Sequence, residues 1–113
     1  MKDSATATEY RMVREITPRD HMASGTWPNG TLTAGAPPGA RLGLAIARAL
    51  ATAMKDQGIG GRELARRAGL AHPTVARVLE GQRLPSTHTL LLLETALRTP
   101  LWPADLHRDG PAA

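Results

Sequence analysis

The 113-residue sequence predicts an all-α domain carried behind a mostly disordered N-terminal arm, and three observations lead there. From Arg41 onward, apolar residues recur at the three- and four-residue steps of an amphipathic helix. Glycines and prolines divide that region into four helical segments. Residues 1–40, by contrast, are rich in Thr, Gly, Pro and Ala and hold a single leucine, Leu32. Such a segment offers too little apolar surface to offset the entropy of ordering it.

Within the arm, Tyr10 to Ile16 can form a short strand or helical turn, and Asn29-Gly30 in Trp27 to Thr33 is a turn signal between strand-like residues, so the alternative to a free arm is one that docks onto the domain or onto a partner. Pro37-Pro38-Gly39 marks the expected boundary, with the domain running over 41–103 and a tail over 104–113. Leu42, Ile46, Ala49, Leu50, Ala53 and Met54 form the apolar stripe of a first helix, interrupted by Gly58, Gly60 and Gly61. A second helix is expected from Arg62 to Ala68, with Leu64, Ala65 and Ala68 inward and Gly69 turning the chain. The third, from His72 to Leu79, directs Val75 and Val78 inward and is closed by Gly81. Pro85-Ser86 supplies a stop and an N-cap for a fourth helix, Thr89 to Leu97, with Leu90, Leu93, Ala96 and Leu97 inward. Pro100 to Pro103 is expected to fold back over the core.

The absence of cysteine excludes a disulfide framework and thiolate chemistry. No stretch approaches the roughly 20 apolar residues of a bilayer span, and no apolar secretory core follows Lys2, so a cytoplasmic protein with no membrane partner is expected. The net charge is +4, and its distribution is uneven. Residues 1–40 balance Lys2, Arg11, Arg14 and Arg19 against Asp3, Glu9, Glu15 and Asp20, whereas ten Lys and Arg face six Asp and Glu from Arg41 onward. The excess is either a solvated basic surface or the footprint of a polyanion such as nucleic acid.

The stretch from Gly61 to Val78 sharpens that choice. Two helices crossing at a steep angle need a small residue at the crossing and a left-handed position in the turn, which Ala65 and Gly69 supply. Leu64, Ala68, Leu70, Val75 and Val78 seal the joint, so the register fits a helix-turn-helix whose second helix turns its outer face to a major groove.

On these residues, together with Val78 to Ser86 and Thr89 to Leu97, the sequence resembles the lambda-repressor-like, or Cro-repressor/XRE, helix-turn-helix family over about Leu42 to Trp102. The resemblance implies a compact bundle of four or five helices that binds operator DNA, usually as a dimer. Carried over position by position, the base-contacting residues would be His72, Pro73, Ala76 and Arg77, with Thr74 toward a phosphate. Arg77 can donate two hydrogen bonds to the O6 and N7 edge of guanine; its alternatives are a phosphate clamp or a solvated side chain. His72 is either a contact or a bystander, because a charged imidazole opposes the dipole at a helix N-terminus.

Phosphate contacts are expected from the amides at Gly60 and Gly61, from Arg62 beside them, and from Arg83. Relative to the family, the side chains of a polar N-cap and a glutamine are missing at Gly60 and Gly61. Ala71 likewise replaces the usual Ser or Thr cap, a loss of about 1 kcal/mol that Pro73 partly offsets. Arg66 and Arg67 read as a general basic rim. Leu92 is one leucine too many for a single small core, and either joins Leu101 and Trp102 in a dimer patch, is covered by the arm or tail, or is simply exposed.

Catalysis has no support. His21, His72, His88 and His107 lack metal-ligand spacing, Ser4, Ser24 and Ser86 sit in no nucleophile elbow, and Asp56 with Glu63 has no apolar pocket, so neither a metal, a cofactor nor an enzyme is expected. The leading expectation is a repressor that binds double-stranded DNA as a homodimer. The alternatives are an antitoxin whose arm or tail wraps a toxin protein, and an adaptor that has lost DNA binding.

Overall fold

The computed structural model describes residues 16–109. It contains four α-helices, α1 (Pro38–Gln57), α2 (Gly61–Ala68), α3 (His72–Leu79) and α4 (Thr87–Leu97), preceded by a 3-10 turn (Pro18–His21) and a small hairpin of β1 (Met22–Ser24) and β2 (Thr31–Leu32). A second 3-10 turn, Leu106–Asp109, follows α4. The fold is all-α in its core, as the periodicity requires. Ile46, Leu50, Ala53 and Met54 of α1 meet Leu64, Ala65 and Ala68 of α2, Val75 and Val78 of α3, and Leu90, Leu93 and Leu97 of α4 in one buried cluster.

Helix α1 begins earlier than its apolar stripe suggested. Pro38 occupies the first turn, where its missing N–H is not needed, so the Pro-Pro-Gly sequence is the start of the helix rather than a linker before it. The early start also gives α1 a second buried stripe, Ala40, Gly43, Leu44 and Ala47, outside the main cluster. Residues 16–37 lie on that side. The Ile16 side chain covers Gly39, and buried Pro18 sits so close over Gly43 that a Cβ there would collide with its ring.

Over residues 16–37 this differs from the weakly structured arm expected, and the physical reason is local. A few large groups, Ile16, Pro18 and Trp27, find a matching surface of small residues on α1 and in the loop after α3, so little apolar area suffices. The hairpin pairs Met22 with Leu32 and Ser24 with Thr31, with an irregularity between the pairs. Asn29-Gly30 ends the connecting loop rather than forming a two-residue turn. Arg48 of α1 holds this loop by donating to the carbonyls of Pro28 (2.7 Å) and Gly30 (2.8 Å). The strand or turn expected at Tyr10 to Ile16 lies, Ile16 apart, outside the described residues.

All four helices close in the same way. Ile59 N–H donates to Met54 O, Leu70 to Ala65, Gln82 to Arg77 and Thr99 to Glu94, each across a left-handed residue: Gly58, Gly69, Gly81 and Arg98. Beyond α4 the chain folds back as expected. The Glu94 carboxylate accepts from the Leu101 (2.6 Å) and Trp102 (3.0 Å) amides, and Gln57 at the end of α1 donates to Leu97 O (2.7 Å).

Candidate nucleic-acid interface

Helices α2 and α3 meet where the sequence required. Ala65 is buried at the crossing, Gly69 has φ +71° with open space around its missing Cβ, and Val75 and Val78 are buried beneath α3. The opposite face of α3 is exposed at Pro73 and Arg77 and half-exposed at Ala76. Three of the four residues expected to read bases therefore share one solvent-facing side of a helix.

The fourth, His72, is half-buried and turned toward α2. Its Nε2 lies 3.3 Å from the position a Cβ would take at Gly61. The imidazole thus stands beside the N-terminal amides of α2, among the groups expected to hold phosphate. The same contact accounts for the missing side chain at Gly61, since its place is next to the His72 ring. Neither Gly60 before α2 nor Ala71 before α3 supplies a side-chain cap, so the first amides of both helices are free of side-chain acceptors and suit an anion.

The arginines on and just after α2 and α3 divide into two sets. Arg66 (3.1 Å, through Nε) and Arg67 (2.8 Å) both hydrogen-bond Glu63. Hydrogen bonds first, and their charges second, hold the Glu63 carboxyl down at about 2, and the same partner raises Arg66. This pair is thus a half-neutralised rim. Arg62, Arg77 and Arg83 are exposed, and among the described residues their side chains have no ion-pair or hydrogen-bond partner.

Between α3, its exit loop and α4 lies a cavity of about 260 Å3, floored by Val78, Leu84 and Pro85 and rimmed by Thr74, Arg77, Arg83, Ser86 and Thr89. Arg77, Thr74 and Arg83 are brought together here. Ser86 and Thr89 complete the rim, and sequence reasoning read Ser86 only as a cap. That cap is real, with Ser86 Oγ accepting from Thr89 N at 3.0 Å. A hydroxyl cap three residues after a free arginine was the available signal.

The patch of Leu92, Leu101 and Trp102 is corrected. Leu101 is 2 % exposed and belongs to the core, because Glu94 draws its amide inward. Leu92 is half-buried against the same core. Among the described residues, the large exposed apolar ones are Leu91 at 59 % and Trp102 at 54 %. Four consecutive leucines on one helix cannot all face inward, and the helix phase leaves Leu91 outside.

A steeply packed helix pair, an unobstructed second helix and free cations around it define a helix-turn-helix DNA-binding unit. The helix-turn-helix family model matches residues 50–101, and this segment is a helix-turn-helix of the lambda-repressor-like (XRE) type, the fold of a DNA-binding regulator. No curated protein and no solved structure matches the chain. Among the described residues, no group of His, Cys, Asp or Glu is arranged to hold a metal ion, and no helix is long and apolar enough to cross a membrane.

Proposed function

We propose that the protein is a sequence-specific transcriptional repressor, acting in the cytoplasm on nucleoid DNA, that reads the major groove with the Pro73, Ala76 and Arg77 face of α3. The observation that carries the reading is the division of the arginines: those flanking α3 and the start of α2 are free of protein partners, while Arg66 and Arg67 are tied to Glu63. Arg77 donates to guanine. Arg62, Arg83, Thr74 and the amides at Gly60 and Gly61 hold phosphates, with His72 beside those amides. The regulator works as a homodimer on a near-palindromic operator, which sets the two α3 helices about 34 Å apart, one turn of duplex.

Selection of duplexes from a random pool, followed by titration of the winner, tests this. Arg77→Ala is expected to weaken the selected duplex by about 1–3 kcal/mol, the worth of one bidentate base contact, and to relax the preference at one base pair. Arg62→Ala is expected to weaken all duplexes alike and to flatten the salt dependence by about one phosphate contact. Absence of salt-sensitive binding to any duplex would sink the reading. The toxin-binding alternative rests on the Tyr10 to Ile16 segment of the arm or on the C-terminal tail; of the arm, residues 16–37 are engaged with the chain's own α1 and α3 exit.

A further inference from the structure

The carbonyls at the end of α3 lead to Trp27. The last four carbonyls of any helix lack intrahelical donors and need partners. In α3, Ala76 O accepts from Glu80 N (3.0 Å), Arg77 O from Gln82 N (3.0 Å) and Val78 O from Gly81 N (3.2 Å). Leu79 O, the last, is satisfied from 52 residues away: the Trp27 indole Nε1–H donates to it at 2.9 Å. The indole plane also lies across Gly81, where any Cβ would collide with the ring. The same Gly81, two residues beyond Leu79, accepts through its carbonyl from Arg19 N at 2.9 Å. Leu84, which floors the cavity beside Arg77 and Arg83, packs on the face of α1 that Ile16 and Pro18 cover.

We infer that residues 16–37 are a brace of the recognition helix, with Trp27 its distant C-terminal cap and the positioning residue that sets where Arg77 and Arg83 stand. The family match begins only at residue 50, so this brace lies outside the shared motif. The working DNA-binding unit of this chain therefore includes residues 16–37, ahead of Arg41. Trp27 touches no base or phosphate. It acts through the last turn of α3 and the loop that carries Arg83, and its collision with any side chain at position 81 fixes the path of that loop.

This inference rests on the DNA-binding reading, and its test separates the two. The full chain is titrated with a fluorescein-labelled duplex that it has itself selected and with an unrelated duplex of equal length, well below the unfolding temperature. Trp27→Phe keeps an aromatic ring over Gly81 and loses only the donor, so it guards against a variant that fails to fold. It is expected to weaken the selected duplex by about two- to tenfold, the net worth of one hydrogen bond, and the unrelated duplex by a smaller factor, since Arg77 reads a base while Arg83 holds a phosphate. In an Arg83→Ala background the effect of Trp27→Phe is expected to shrink, because the two residues act through one loop. Trp27→Ala, which also removes the ring, is expected to lose more than Trp27→Phe. Equal binding by Trp27→Phe and the wild type, or an equal loss on both duplexes that persists unchanged in the Arg83→Ala background, overturns the brace. A wild-type chain that binds no duplex overturns the DNA reading itself.

Discussion

Arg98 closes α4 at φ +52°, a position that the other three helices give to glycine. A side chain there meets its own backbone at a cost of about 1 kcal/mol, so Arg98→Gly should raise the denaturant midpoint by an amount worth up to that, less the backbone entropy of glycine. Glu63 offers a second test at this scale. Its carboxyl titrates near 2 in the folded chain, below the usual value of 4.5, because Arg66 and Arg67 hydrogen-bond its charged form. A folded value below the unfolded one contributes stability that is complete above about pH 4.5 and is lost as pH falls toward 2. Glu63→Gln should therefore flatten the acid limb of the stability curve in that window, as followed by circular dichroism. The same variant releases two arginines, and its affinity for unrelated duplex at neutral pH should rise. The exposed position of Arg77 on α3 was legible at this scale because its place in the motif is local. The place of the His72 ring was not, because it meets Gly61 across the turn between two helices.

At the scale of elements, capping separates α4 from α2 and α3. Only α4 among these has a side-chain cap, Ser86, and the apolar cap of α3 is Ala71. Ala71→Ser should stabilise the domain by about 1 kcal/mol in chemical unfolding, since the amides of the first turn of α3 then gain an acceptor. The span of α3 follows directly from the sequence, as its bounding signals, Pro73 in the first turn and Gly81 beyond the end, lie within a few residues of it. Helix α1 was less legible. Its core stripe was visible in Ile46, Leu50 and Ala53, but Ala40, Gly43 and Ala47 look featureless until something packs on them. Small residues at helical spacing have no meaning without their partner.

For the whole molecule, the surface gives two separate sides. Arg77 and Arg83 line one cavity beside α3, and exposed Leu91 lies on α4 three residues from the Glu94 that holds the amide of exposed Trp102. If the protein acts as the proposed homodimer, these exposed apolar residues are the ones a contact between copies would use. Leu91→Lys should shift sedimentation toward the monomer and weaken operator binding while leaving thermal unfolding of the monomer nearly unchanged, because the lost side chain is solvent-exposed in the single chain. An unchanged sedimentation coefficient would remove that assignment.

The sequence by itself determined the helices, the turn at Gly69, the inward Ala65, Val75 and Val78, and the outward Arg77, because each follows from contacts within a few residues and from a fixed helical period. Only the tertiary structure decided that Leu101 is core, that Leu91 is surface, and that residues 16–37 belong to the domain. Those outcomes depend on which distant groups meet: a carboxylate at Glu94 with the amides of a returning chain, and an indole at Trp27 with the last carbonyl of α3. No periodicity in the sequence encodes such meetings, since the groups that form them lie eight residues apart in one case and 52 in the other.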